Sequence, residues 1–155
     1  MAIRYDPSAR FDIDISEEIY RSGPDGEWPV RLYRPQGTGP FPTLLDVHGG
    51  AWSSGSYLNN ESVDRALAAT GIVVAAIEFR QAPQHTYPAQ VADVNFGTRW
   101  LKTHAARLGG DAATLGAFDV DFIHSLRRSV SKACYATMYS SGDGDAAESA
   151  ALRRR

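Results

Sequence analysis

The residues best suited to chemistry are His48-Gly49-Gly50-Ala51-Trp52, which follow directly on a short, mostly apolar run. Glycine adopts positive φ angles without a steric penalty, and its bare backbone lets N–H groups approach a ligand closely. Two neighbouring N–H groups aimed at one point would stabilise an oxyanion that develops during acyl transfer. A plain tight turn between a strand and a helix explains the same glycines, and these five residues alone do not separate the two interpretations.

A later segment, from Glu78 to Phe118, carries residues whose order and spacing are more specific. The segment resembles the hormone-sensitive-lipase-like branch of the α/β hydrolases, which are esterases with an HGGG-type motif. The resemblance extends over about residues 17–118. The matching residues are Phe79-Arg80, Ala82-Pro83, His85, Tyr87-Pro88-Ala89, Asp93, Trp100 and Gly109-Gly110-Asp111.

The resemblance implies that Gly49, Gly50 and Ala51 form an oxyanion hole. Ala51 stands where the family has a third glycine, and it still supplies a backbone N–H. The substrate implied is a small-molecule ester. The variant H-G-G-x-W also resembles kynurenine formamidase, so an amide bond is an alternative target.

Four further residues are expected to support this site. By resemblance, His48 would hold the oxyanion loop as a scaffold residue, although a catalytic base is the competing interpretation. Trp52 would pack rather than contact substrate, and Arg80 and Asp93 would fix the nearby loop. We expect neither a metal ion nor a cofactor.

The nucleophile of the family is where this sequence departs from the resemblance. The family places a serine in G-x-S-x-G on a strained strand-to-helix turn, whose neighbours must be small. Here Asp121 occupies the position of the serine, and Asp119 and Ile123 replace the glycines. A β-branched residue crowds such a turn, so we expect no functional nucleophile at Asp121.

The rest of a catalytic triad is also missing from the sequence. In this fold the nucleophile is followed by the acid and then by the histidine. The last histidine, His124, precedes the later candidate acids Asp143 and Asp145, so no general base follows them. Ser53, Ser54 and Ser56 lie within the glycine-containing loop itself and do not form a glycine-flanked elbow.

Alternating strands and helices must position these residues. Glu17–Arg21 and Trp28–Arg34 are predicted strands joined by the turn residues of "SGPDGE". Thr43–His48, Ile72–Phe79 and Ala113–Phe118 are apolar enough for buried strands. Between them, a helix capped by Asn60 is predicted to end at Gly71, and Val91–Leu108 has helical periodicity.

This pattern predicts a partial α/β-hydrolase fold. The sheet would be mixed and mostly parallel, with helices on both faces and without the C-terminal strands of the family. Residues 1–118 would form the N-terminal part of the hydrolase domain. Residues 119–155 would be an unrelated tail, with a helix over about 121–139 followed by a disordered end, as a frameshift or a truncated gene would produce.

Composition narrows the classes of function. The chain has 155 residues and a net charge of −2, which gives no electrostatic reason to expect nucleic acid as a partner. The single cysteine, Cys134, excludes an intrachain disulfide. The first residues lack the apolar region of a signal peptide, and no apolar run reaches the roughly 20 residues of a membrane span. These features predict a cytoplasmic protein of unknown oligomeric state.

The sequence therefore favours a carboxylic-ester hydrolase by resemblance, with serine-based acyl transfer as the family reaction. The chain itself keeps the oxyanion residues and lacks the nucleophile, acid and base, so we expect it to be inactive. A non-catalytic binding protein or truncated pseudoenzyme, and an amide hydrolase of the formamidase type, are the alternatives.

Overall fold

The computed structural model describes Asp6 and residues 8–119. A five-stranded sheet and two α-helices make up this part, and a short 3-10 helix, Ala105–Leu108, continues the second α-helix. In chain order the elements are β1 (Ile13–Gly23), β2 (Gly26–Pro35), β3 (Phe41–Val47), α1 (Glu61–Ala69), β4 (Val73–Ile77), α2 (Ala89–His104) and β5 (Gly110–Asp119).

The sheet is mixed, as predicted. Its strand order is β1-β2-β4-β3-β5. β1 and β2 form an antiparallel hairpin, and β2 runs antiparallel to β4. β3 lies between β4 and β5 and is parallel to both. Because parallel strands end at the same edge, the segments that leave β3 and β4 lie next to each other there.

The two helices cover opposite faces of the sheet. Along β4, Val73, Ala75 and Ile77 contribute to one core cluster, and the intervening Val74 and Ala76 contribute to a second. Successive side chains of a strand point to opposite faces, so these are the two sides of the sheet. The first cluster contains Val94 and Leu101 of α2, and the second contains Ala68 of α1.

Several predicted boundaries differ from the observed ones. The strand predicted over Ile72–Phe79 ends at Ile77, so Glu78 and Phe79 lie beyond the ladder. The helix predicted over Val91–Leu108 begins at Ala89, and its last turn is the 3-10 helix. Gly109 then ends it in the left-handed conformation. The predicted tail, including its helix over about 121–139, lies outside the described residues.

The prediction that the Asn60 side chain caps α1 is wrong. Asn60 holds the N-cap position, but its side chain makes no capping hydrogen bond. Its amide instead donates to both carboxylate oxygens of Asp46, at 2.9 and 3.1 Å. The buried carboxylate on β3 is a charged acceptor, and a hydrogen bond to a charged group is stronger than one to a neutral group. Asn60 therefore joins α1 to the sheet.

Across Asp6 and residues 8–119, neither helix combines the length and the apolar character that crossing a membrane requires.

Candidate functional site

Two segments meet at the carboxyl edge of the parallel strands. The first follows β3 and comprises Gly49–Gly55, here called the glycine loop. The second follows β4 and comprises Glu78–Ala82, here called the β4 exit segment. β3 and β4 pair in register, with Val47 opposite Ile77. His48 and Glu78 are therefore the next residues of two neighbouring strands, and both segments leave the sheet side by side.

The glycine loop has an unusual backbone. Gly50 has φ +124°, Ala51 has φ +52° and Trp52 has φ +63°. A positive φ is uncommon for residues other than glycine, and two in succession indicate a conformation that the surroundings impose. Strained backbone of this kind concentrates at functional sites.

Gly50 is the residue of the loop that tolerates a side chain least. A Cβ atom there would lie 1.9 Å from the carbonyl oxygen of Ser54, in addition to the positive φ. The chain folds tightly around this position, because the backbone N–H groups of Ser53 and Ser54 both donate to the Gly50 carbonyl, at 3.0 and 3.1 Å. The glycine at position 50 is thus required by the close approach of the backbone.

His48 connects the glycine loop to the β4 exit segment. Its Nδ1 lies 2.8 Å from the carbonyl oxygen of Gly49, and its Nε2 lies 3.1 Å from Oε1 of Glu78. The imidazole is also stacked on the ring of Phe79, with centroids 4.3 Å apart and an interplanar angle of 14°. Both ring nitrogens are engaged, so this geometry does not leave His48 a nitrogen to act as a base toward substrate.

The other side of the loop is held by ring packing and one main-chain bond. The indole of Trp52 packs on Phe79 with centroids 5.5 Å apart. The backbone N–H of Ala82 donates to the Trp52 carbonyl at 3.0 Å. Phe79, which is only 2% exposed, thus contacts His48 just before the glycine loop and Trp52 within it.

Glu78 is the hub of these contacts. Its Oε1 accepts from the side chain of Gln81 at 2.9 Å and from the backbone N–H of Phe79 at 3.2 Å. Its Oε2 lies 3.5 Å from the backbone N–H of Tyr57, beyond the glycine loop. Gln81 in turn donates to the Gly55 carbonyl at 3.2 Å. One carboxylate therefore connects the start and the end of the loop.

The pKa shifts of His48 and Glu78 agree with each other. Burial lowers the pKa of His48, but the hydrogen bonds to Glu78 and Gly49 and the charges of Glu78 and Asp46 outweigh it, so the net pKa shift is upward. Burial raises the pKa of Glu78, but His48 and the backbone N–H donors outweigh it and lower that pKa overall. Each partner favours the charged form of the other.

Arg80 and Asp93 form a second, larger ionic cluster beside the site. Asp93 is fully buried and accepts from the Arg80 backbone N–H at 2.9 Å and from its guanidinium at 2.8 and 3.0 Å. Arg21 also forms an ion pair with Asp93. Arg21 and Arg80 lie over the ring of Trp28, at 5.8 and 5.9 Å from its centroid. This cluster joins the β4 exit segment to α2 and to the β1–β2 hairpin.

Two buried acids, Asp46 and Asp64, lie between β3 and α1. Burial raises the pKa of Asp46 to about 6, against the hydrogen bond from Asn60. Burial, and then the charges of Asp46 and Glu61, raise the pKa of Asp64 to about 8. Within the part of the chain that the structure describes, neither carboxylate oxygen of Asp64 has a hydrogen-bond partner.

The position of the nucleophile, Asp121, lies outside the described residues, so its role stays a prediction. The serines of the loop make local contacts. The hydroxyls of Ser53 and Ser54 donate to the Gly50 carbonyl at 3.3 and 3.1 Å, and that of Ser56 accepts from the Leu58 N–H at 3.3 Å. None of these bonds is to a histidine, so they form no nucleophile–base pair.

Sequence reasoning missed Glu78, Gln81 and Tyr57. A signal for Glu78 was present, because it is the one charged residue in the otherwise apolar run Ile72–Phe79. A charge at the carboxyl end of a buried strand faces the edge where α/β sheets place their sites. Gln81 and Tyr57 carried no comparable signal, since their contacts depend on how two loops meet. Among the described residues, no three His, Cys, Asp or Glu side chains come together as a metal site.

A comparison with known protein families finds a family model that matches more than half of the chain. The model is described as BD-FAE and matches residues 30–118. This confirms the resemblance to hormone-sensitive-lipase-like α/β hydrolases that the sequence motifs indicated.

Curated relatives are esterases of greater length. Carboxylic ester hydrolase LipN of Mycobacterium tuberculosis is 33% identical over 118 residues, which is 69% of this chain and 31% of LipN. Carboxylesterase NlhH of the same species is 37% identical over 89 residues, which is 56% of this chain and 28% of NlhH. The chain thus spans about a third of the length of these relatives.

Solved structures with a similar fold also include esterases. The hyperthermophilic esterase from Pyrobaculum calidifontis superposes with a TM-score of 0.63 at 29% identity, covering 68% of this chain and 35% of that one. The partial α/β-hydrolase fold predicted from the sequence is confirmed over that stretch.

Proposed function

The chain belongs to the BD-FAE family of α/β hydrolases, and on this premise we propose that it supplies the oxyanion-binding half of a carboxylic-ester hydrolase site. Gly49, Gly50 and Ala51 are the residues assigned to oxyanion binding, and the donors are the backbone N–H groups of the latter two. His48, Trp52, Arg80 and Asp93 support the loop. The substrate class is a small-molecule ester.

The chemistry follows from the requirements of acyl transfer. When a nucleophile attacks an ester carbonyl, negative charge accumulates on the carbonyl oxygen. Preorganised N–H groups bind that charge better than water does, because they need not reorient during the reaction. Loss of one such donor costs about 2.7–4 kcal/mol of transition-state stabilisation in known enzymes.

The observation that supports this role is the loop geometry at the carboxyl edge of the sheet. Two consecutive residues other than glycine, Ala51 and Trp52, hold positive φ angles. Phe79 of the β4 exit segment helps to maintain that conformation, because its ring packs against both His48 and Trp52. A plain turn could relax to ordinary dihedrals, whereas a donor site must keep its amides fixed before the substrate arrives.

The names of the relatives favour esters over amides as substrates. LipN and NlhH are named as a carboxylic ester hydrolase and a carboxylesterase. The formamidase alternative rests on the H-G-G-x-W motif alone. The cytoplasmic location and the lack of a nucleic-acid partner stay predictions from the sequence.

A tetrahedral anion that does not need a nucleophile tests the proposal directly. We expect an alkylphosphonate monoester, titrated into the full chain, to shift the backbone amide resonances of Gly50 and Ala51 in a saturable way. The phosphonate oxygen imitates the oxyanion, so those two N–H groups should respond most. Chloride at equal ionic strength controls for general salt effects, and the amide of Thr103 on α2 controls for nonspecific binding.

The proposal is contradicted if the phosphonate shifts no amide of the glycine loop at any concentration that leaves the protein folded. Equal shifts at Gly50 and Thr103 would likewise exclude a specific oxyanion site.

A further inference from the structure

Both ring nitrogens of His48 face acceptor atoms. The partner of Nδ1 is the carbonyl oxygen of Gly49, at 2.8 Å, which can only accept. The partner of Nε2 is Oε1 of Glu78, at 3.1 Å. A neutral imidazole carries one N–H, whereas the imidazolium carries two. Two acceptors therefore match the charged form of the ring.

A neutral imidazole beside a protonated Glu78 would be the other arrangement, and the contacts of Glu78 disfavour it. Its Oε1 also lies within reach of two further donors, the Gln81 side chain and the Phe79 backbone N–H. Donors that converge on a carboxyl group stabilise its ionised form. The pair is therefore an imidazolium and a carboxylate, with the His48 side chain fully buried and that of Glu78 20% exposed.

We propose that Glu78 is a positioning residue that keeps His48 as an imidazolium, so that the His48 Nδ1–H polarises the peptide between Gly49 and Gly50. The Gly49 carbonyl and the Gly50 N–H belong to the same planar amide. A cationic donor on that carbonyl draws electron density from the amide, which makes its N–H a stronger hydrogen-bond donor. The importance of Gly50 as a donor to an oxyanion rests on the proposed function.

The neighbouring groups are arranged to favour this charge state. Asp46 on β3 acts on His48 as a second negative charge. The Tyr57 backbone N–H faces the other oxygen of Glu78. The Tyr20 hydroxyl, from β1, donates at 2.8 Å to the main-chain carbonyl of Glu78 and fixes the backbone that carries the carboxylate. Phe79 excludes water from one face of the imidazole.

Nitrogen NMR of the histidine rings in the full chain tests the charge state. In the wild type we expect both ring nitrogens of His48 to be protonated at neutral pH, and the Gly50 amide proton to follow the same titration as His48. In Glu78→Gln we expect His48 to titrate at lower pH and the Gly50 amide to lose its dependence on the ring at neutral pH. Glutamine variants of the other histidines, His85, His104 and His124, assign the signals.

Glu27→Gln is the matched control, because it removes an exposed carboxylate near the start of β2. It should leave both the His48 titration and the Gly50 amide unchanged. A wild-type His48 with one unprotonated nitrogen at neutral pH would overturn the proposal without any variant, so a Glu78→Gln protein that fails to fold does not remove the test.

Two other results would also overturn it: a His48 titration unchanged in Glu78→Gln, or a Gly50 amide that does not follow His48. Failure of the proposed function looks different. In that case the phosphonate would not bind, while His48 would still be doubly protonated and the Gly50 amide would still follow it.

Discussion

Asp64 is the residue at which burial and charge conflict most. Its side chain is fully buried on α1, and it faces the second acid Asp46 rather than a cation. An ionised carboxylate without a partner is costly in such a place, so the group shifts its pKa and stays neutral. Its pKa of about 8 places the change of charge just above neutral pH.

Asp64 should make the free energy of unfolding depend on pH. Its folded pKa of about 8 lies above the ordinary value of 3.8, so the folded state binds the proton more tightly. The favourable contribution is complete below about pH 4 and is lost as the pH rises to about 8. Each pKa unit corresponds to about 1.4 kcal/mol. Asp64→Asn should flatten this slope in urea denaturation series, most clearly between about pH 6 and 8.

Asp12→Asn, which changes an exposed side chain, is the control. The free energy of unfolding of this variant should vary with pH as that of the wild type does. Asp46 also contributes to the slope, but its pKa of about 6 confines that contribution to lower pH. An Asp64→Asn protein that loses stability with pH as steeply as the wild type would show that Asp64 is ionised in the folded state.

At the scale of elements, α1 is oriented by one buried hydrogen-bonded contact rather than by a cap. Asn60 and Asp46 are 8% and 0% exposed, and the amide of the first donates to both oxygens of the second. This contact fixes the first turn of α1 against β3, two residues before His48. The segment between β3 and α1 contains the glycine loop, so both of its ends are anchored to the sheet.

Asn60→Asp separates the two roles of Asn60. Aspartate is as good an N-cap as asparagine, so a capping residue would tolerate the change. Here it would place a second carboxylate against Asp46, and we expect a loss of at least about 2 kcal/mol of unfolding free energy at pH 7. The loss should shrink toward pH 4, because one of the two facing carboxyl groups is then protonated and the repulsion between them is lost. Asn59→Asp, at the exposed neighbouring position, should have little effect in the same denaturation experiment.

At the scale of the whole molecule, the described residues contain the segments that we propose as one side of an active site. The glycine loop and the β4 exit segment are present, and the bonds of the loop serines are local. The printed sequence has no serine in a G-x-S-x-G context. The relatives, by comparison, are more than three times as long as the stretch that this chain matches, which is 31% of LipN and 28% of NlhH.

We therefore expect the full chain to release no p-nitrophenol from p-nitrophenyl butyrate above the buffer rate. Turnover that disappears in Asp121→Ala would contradict this and identify an aspartate nucleophile. Binding of the phosphonate without turnover is expected if the chain supplies only the oxyanion-binding half of the site. The same result fits a non-catalytic binding protein. Saturable binding of the intact ester, measured by calorimetry, would favour the binding protein.

Much of the architecture was predictable from the sequence. Within residues 8–119, the apolar runs and turn residues identified the five strands and the two helices, because sequence patterns with a period of 2 or 3.6 report on local structure. The glycine loop and the family resemblance followed from short motifs. Boundaries were less certain, since the strand predicted over Ile72–Phe79 ends at Ile77.

The sequence by itself determined the elements, the family and the position of the glycine loop, since each depends on residues close together in the chain. Only the tertiary structure showed that the side chain of Glu78 is hydrogen-bonded to that of His48, 30 positions earlier in the chain. It also showed that the Asn60 side chain donates to Asp46, 14 positions earlier. Such contacts depend on which strands become neighbours and on how their ends are aligned. A buried charge acquires its partner, its pKa and its role from that arrangement, because desolvation and the distance between charges are properties of the folded chain.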